Sequence, residues 1–183
     1  REPCAPAIDV YTGVLYEALD AGSLSPAARR LLQETTAIAS GLWGLVRPRD
    51  LIPAYRLSGG VTLPDLGSLA SAWRPALTAT LDAVPGLVVD MRSGAYVALG
   101  PLSPTETDRS VTVRVLNEVK GKRTVVSHNN KATKGRLVRT LVTTRRRPKD
   151  VGDLVETLDS EGYEVELSPP RRGAPAVLDV ILR

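Results

Sequence analysis

The lysine and arginine residues of this chain are gathered in one place: residues 119 to 149 hold eleven of the 24 and not one Asp or Glu. The formal net charge is +4, so the rest of the chain is net acidic and positive potential concentrates on this segment. A local field of that kind draws phosphate groups more strongly than a small net charge suggests. Lys131, Lys134, Arg136 and Arg139 are three and four apart or nearly so, and on a helix over Lys131 to Thr143 they follow neighbouring edges. Cations at that spacing repel each other, and an anionic partner relieves the repulsion. This points to contacts with the DNA backbone and a weak sequence preference, because point and fork charges carry no base-reading frame. A solvated basic helix with a surface loop accounts for the same run without a partner.

A second group of cations lies upstream. Arg47 and Arg49 flank Pro48, which fixes a local φ, so both guanidiniums project from a stiffened loop. Tyr55 beside Arg56 pairs a hydrogen-bonding ring with a guanidinium, suited to a phosphate or a base face. Gly41 and Gly44 let backbone approach a ligand or another strand closely. The plain reading of these residues is that the glycines serve turns, Trp43 and Tyr55 fill core, and Arg47 pairs with Asp50. Trp43 is expected in the core, whereas Arg47 and Arg56 are read as functional because two Arg in a Gly/Pro-rich loop exceed what a solvated turn needs. Arg47, Arg56 and the basic helix are expected to share one cleft.

Asp90, Arg92, Ser93 and Tyr96 follow an apolar strand, where mixed α/β sheets commonly place working groups. Arg92 joins the phosphate-binding candidates. Asp90 either works in such a site or caps the turn through Ser93 and Gly94. His128 sits at a strand-to-helix transition, where Asn129 or Asn130 serves equally well as an N-cap. Asp90, Tyr96 and His128 are thus the catalytic candidates. Thr133-Lys134-Gly135 resembles phosphate-loop chemistry superficially, since the G-x-x-x-x-G-K-[ST] frame is absent.

Composition excludes several classes. The only Cys, Cys4, rules out an internal disulfide, and one His with one Cys rules out a structural Cys/His zinc site. No metal and no cofactor is expected, and a reducing cytoplasm fits. No run of eighteen apolar residues is present, so no membrane partner is expected. With no Phe and aromatics at 4%, the core is built from Leu, Val, Ile and Ala, which disfavours rows of stacked bases.

The elements alternate. Residues 1 to 10 read as an extended Pro-rich tail. Ser25-Pro26 opens a helix to about Glu34, Thr35 to Ser40 is a strand, and Gly41 to Gly60 an ordered loop. Leu66 to Ala83 is a helix bent or interrupted by Pro75. Leu87 to Asp90 and Tyr96 to Leu99 are strands. Val111 to Leu116 and Thr124 to His128 form a hairpin around Lys120-Gly121-Lys122. The basic helix follows, then a helix over Val151 to Leu158, a strand over Tyr163 to Leu167, a turn over Pro169 to Gly173, and a strand over Val177 to Leu182. An α+β domain, with a mixed sheet flanked by helices, covers residues 11 to 183.

Val10-Tyr11-Thr12-Gly13 and the stretch from Ser40-Gly41-Leu42-Trp43-Gly44 through Arg47-Pro48-Arg49-Asp50 to Tyr55-Arg56-Leu57 resemble motifs of the YaaA family of bacterial peroxide-stress proteins. Val89-Asp90 through Tyr96, His128 to Arg139 with its K-x-x-[KR]-G-x-x-x-R core, and Ser160-Glu161-Gly162-Tyr163 follow in the same order. The resemblance implies a cytosolic, peroxide-induced protein that limits damage from unincorporated iron and binds DNA. It also implies an α+β fold with a positively charged cleft and a helix-hairpin-helix element near the amino end. The family has a substantial segment ahead of Y-[ST]-G, whereas ten residues precede Tyr11 here. The chain is therefore expected to be the carboxy-terminal part of a YaaA-like protein, with the amino-terminal segment a possible separate partner chain, and DNA binding through the hairpin is not carried over. Beside the DNA-binding reading stands an enzyme acting on a nucleotide or another phosphorylated small molecule. Direct iron binding finds only carboxylates to serve as ligands.

Overall fold

A computed structural model describes residues 3–103, 109–125, 127–168, 170–171 and 175–183, and for residues 127–129 the backbone alone. The chain divides into two compact units. Residues 1–12, 24–84 and 92–102 make the first, and 13–23, 85–91 and 103–183 the second. In chain order the elements are β1 (Cys4–Pro6), α1 (Ala7–Val10), α2 (Val14–Leu19), α3 (Pro26–Thr35), β2 (Ile38–Ser40), β3 (Gly44–Val46), β4 (Leu51–Pro53), β5 (Thr62–Leu63), β6 (Gly67–Ser68), α4 (Leu69–Asp82), β7 (Val88–Asp90), α5 (Gly94–Val97), β8 (Ser110–Val119), β9 (Lys122–Thr124), α6 (Ser127–Thr143), α7 (Val151–Ser160), β10 (Glu164–Ser168) and β11 (Ala176–Leu182). Helices and strands mix throughout, as the α+β reading requires.

In the first unit, the opening residues are not a tail. Cys4–Pro6 pairs antiparallel with β4, and the amides of Ala7 and Ile8 donate to the carbonyls of Asp50 (2.8 Å) and Pro48 (3.1 Å). Ala7 and Ile8 are buried, so the apolar pair anchors a stretch that its prolines alone suggested was loose. The region expected to be all loop likewise contains β3, hairpinned to β2, and β4. At α3 the expectation holds: Ser25 Oγ accepts from the Ala28 amide (3.3 Å) and Pro26 occupies the first turn. Helix α4 continues through Pro75 and packs Leu69 and Leu77 with Leu99 in a small core. Tyr96–Leu99, expected as a strand, instead enters the short helix α5. Ser93 O accepts from the amides of both Tyr96 and Val97 (2.9 Å each), and this local closure overrides the β-propensity of Tyr and Val.

The second unit holds a mixed five-stranded sheet in the order β10-β11-β8-β7, with β9 on the same edge of β8 as β7. The β7-β8 and β8-β11 pairs are parallel, the β10-β11 and β8-β9 pairs antiparallel. Lys120 (φ 51°) and Gly121 (φ 73°) make the β8-β9 turn, the two successive left-handed residues that a tight hairpin demands. Val111, Val113 and Val115 point to one face with Leu178 and Val180, where Leu137 of α6 and Leu154 and Leu158 of α7 cover them. Each such buried side chain contributes about 2 kcal/mol. On the opposite face Arg114 makes a bidentate pair with Asp179 (2.5 and 2.6 Å), its cross-strand partner in register. Arg123 bridges Glu118 and Glu166, and its hydrogen bonds hold the Glu166 carboxyl below the usual carboxylate range. Helix α7 opens on Asp150, whose side chain accepts from the Asp153 amide (2.8 Å), and its end is closed by Gly162 at φ 85°.

Candidate functional site

The motif loop of the first unit is organised around Ser40, which is fully buried. Its Oγ accepts from the amides of Leu42 (3.2 Å) and Trp43 (2.9 Å). With both acceptor positions used, the Ser40 hydroxyl donates to Tyr55 Oη. Tyr55 Oη in turn bonds Tyr11 Oη (2.7 Å), the rings meeting edge to face. Tyr55 thus belongs to a hydrogen-bonded chain reaching Tyr11, a role that composition alone does not reveal. Gly41 is obligatory, because a Cβ there would lie 2.7 Å from the Leu57 carbonyl, and its own carbonyl accepts from Trp73 Nε1 (3.0 Å). Trp43, expected in the core, is exposed: a tight turn between β2 and β3 turns its side chain outward, and Trp73 on α4 takes the inner place.

The cations of this unit divide. The Arg47 amide donates to Asp50 Oδ2 (2.7 Å) and its guanidinium to the Glu34 carbonyl (3.2 Å). Arg92 Nη1 donates to the Tyr96 carbonyl (3.3 Å). Tyr96 packs on the Leu69, Leu77 and Leu99 core, with its ring 3.1 Å from where a Cβ on Gly59 would stand. Arg49 and Arg56 are exposed, and among the described residues no hydrogen bond or ion pair engages them.

The acid-free segment of the second unit divides in the same way. Arg123 is paired as above, Arg146 faces Glu156 (3.9 Å), and Arg147 donates to the Thr144 and Arg146 carbonyls. Arg139 caps α2: Nη1 donates to the carbonyls of Leu19 and Asp20, and Nη2 to Ser23 Oγ, all at 2.9 Å. Lys134 is buried, because the α6 face carrying it also carries Leu137 and meets the sheet. The side chains of Lys120, Lys122, Lys131, Arg136, Arg145 and Lys149 are exposed and unengaged among the described residues. The catalytic candidate His128 lies in the first turn of α6, with its side chain outside the described residues.

Asp90, at the end of β7, is buried and acts electrostatically on Lys134. Burial pushes the Lys134 ammonium below its ordinary value of 10.5, and the Asp90 charge opposes that shift. The unfolded chain therefore holds this proton more tightly than the folded one. Stability is expected to rise with pH between the depressed folded value and 10.5. Thermal midpoints measured upward from neutral pH should show this rise in the parent relative to Lys134→Met, and parallel curves would refute it.

Comparison with known proteins agrees with these motifs: the family model described as peroxide stress protein YaaA matches residues 1–168. The chain belongs to the YaaA family. A UPF0246 protein of Streptomyces coelicolor is 48% identical over 180 residues, covering 97% of this chain and 68% of that relative. One from Corynebacterium efficiens is 41% identical over 175 residues, with 93% and 68% covered, and one from Salinispora tropica is 34% identical over 175 residues, with 93% and 65% covered. The YaaA match starts at residue 1, so it takes in β1 and α1 ahead of Tyr11, where the legible motifs begin. Membership gives the chain a place in the peroxide stress response. No helix among the described residues is long and apolar enough to cross a membrane.

Proposed function

We propose that this YaaA-family chain binds DNA through the exposed cations of its second unit, and that its part in peroxide stress is to limit DNA damage linked to unincorporated iron. The observation that carries the reading is the division of the basic segment. Six of its eleven cationic side chains have no hydrogen-bond or ion-pair partner among the described residues, and their stretch of sequence holds no acid to compete for them. Lys131 and Arg136 on α6 make phosphate contacts, while Arg139 holds the helix against α2. Arg49 and Arg56 of the first unit are further phosphate ligands, with Arg47, Tyr55 and Arg92 ordering their loops. Backbone contacts of this type give weak sequence preference.

The combined Lys131→Ala and Arg136→Ala variant is expected to reduce the slope of log affinity against log salt by about 1.8, two contacts at about 0.9 each. Neither side chain has a structural partner among the described residues, so the melting temperature of the variant should match the parent. A duplex titration in which the slope does not move removes these residues from the interface.

A second reading, an enzyme acting on a nucleotide or other phosphorylated small molecule, is favoured by one observation: Asp90, Thr133 and Lys134 are all buried polar side chains where β7 ends and α6 begins.

A further inference from the structure

Thr133 is 2% exposed, and its Oγ1 has no hydrogen-bond partner among the described residues. Three residues earlier, Asn130 Oδ1 is buried and equally without partner. Buried polar atoms of this kind cost free energy, and native chains keep few of them without a use. The two belong to one face of α6, and Lys134, four residues after Asn130, shares it. This face meets the sheet, since Leu137 one turn on packs into the valine core. Lys134 is electrostatically coupled to Asp90. Asn130 closes the first turn of a 17-residue helix, where the amide dipoles favour negative charge, and Thr133 and Lys134 stand one turn further on.

We propose that Asn130, Thr133, Lys134 and Asp90 form a binding site for a phosphorylated sugar, free or as part of a nucleotide. The inference rests on the small-molecule reading above and supplies its site. The Thr133 hydroxyl and the Lys134 ammonium donate to the phosphate, together with the Asn130 amide, whose oxygen and nitrogen ends exchange by a flip. A bare anion would be repelled by Asp90. A molecule carrying both a phosphate and a hydroxyl satisfies both ends, because a carboxylate accepts the hydroxyl proton. The geometry differs from a phosphate loop: side chains hold the group, and the following Gly135 serves packing against α2.

Calorimetric titration of the full chain with ribose 5-phosphate, AMP and inorganic phosphate tests the site. Ribose 5-phosphate or AMP is expected to bind the parent, and Thr133→Val to weaken that binding at least about tenfold, a free-energy loss of about 1.4 kcal/mol. Thr133→Val keeps the side-chain shape and removes only an unpartnered hydroxyl, so it should melt no lower than the parent. Asp90→Asn should erase the advantage of the sugar phosphate over inorganic phosphate. Equal binding by the parent and Thr133→Val overturns this site while leaving the small-molecule reading standing. Absence of heat with all three ligands defeats that reading, and the site with it.

Discussion

Gly135→Val is expected to lower the stability of the chain by about 3–5 kcal/mol, an overpacking cost at the top of the usual range. By the usual scaling for a chain of this size, that moves the thermal midpoint down by roughly 6–20 °C. A Cβ at this position would stand 2.2 Å from the Leu15 carbonyl oxygen, 2.9 Å from Ala18 Cβ and 3.0 Å from the Leu19 amide nitrogen. Two of those three atoms are backbone of α2 and cannot swing aside. Nor can α2 slide away cheaply, because Arg139, one turn further along α6, holds its carboxyl end through three hydrogen bonds. Gly22→Ala, where a Cβ would meet nothing within 4 Å, should be close to neutral. Urea unfolding of the two variants is the measurement, and a Gly135→Val loss under about 1 kcal/mol would show that α2 and α6 are not in close contact.

Ser40→Ala is expected to cost about 2–4 kcal/mol, because it strands two backbone amides and removes a partner from Tyr55. The site is fully buried, so water does not step in without rearrangement. Tyr55→Phe should cost only about 1 kcal/mol, since Ser40 keeps its two amide donors. If the chain acts as one unit, the double variant will lose less than the sum of the singles. Equal losses for the two singles, or strict additivity, would mean that Ser40 and Tyr55 act independently.

Much of this fold is legible where local chemistry decides it. Ser25 followed by Pro26 announces α3, Lys120-Gly121 announces the β8-β9 turn, and Gly162 closes α7, each through rules acting over four residues or fewer. In residues 4 to 10 the prolines signal loose chain, while the pairing partner that orders them, β4, lies nearly fifty residues away. Tyr96 to Leu99 fits a strand as well as a helical turn in sequence, because four residues carry too little periodicity to separate the two. In the candidate site, sequence identified the basic segment but could not sort its cations. Spacing put Lys131 and Lys134 on one edge, yet Lys134 turns inward because Leu137 and the sheet set the helix rotation. The spacing of Arg139 does not reveal its hydrogen bonds to α2, because the carbonyls it caps are 119 and 120 residues away. Nothing in composition marks Thr133 and Asn130 as unpartnered, since that depends on what surrounds them in space.

The position of β11 has a consequence for how the chain is made. It lies between β10 and β8, and it runs parallel to β8, whose residues precede it by about sixty-five positions. A ribosome must therefore release nearly all of residues 103–183 before the middle of this sheet can close. Until then the long β8 strand waits with an unsatisfied edge, a state in which partly made chains associate with one another. Pairings across such separations also form slowly. The interval between synthesis of β8 and arrival of β11 is the time in which a nascent chain depends most on chaperones.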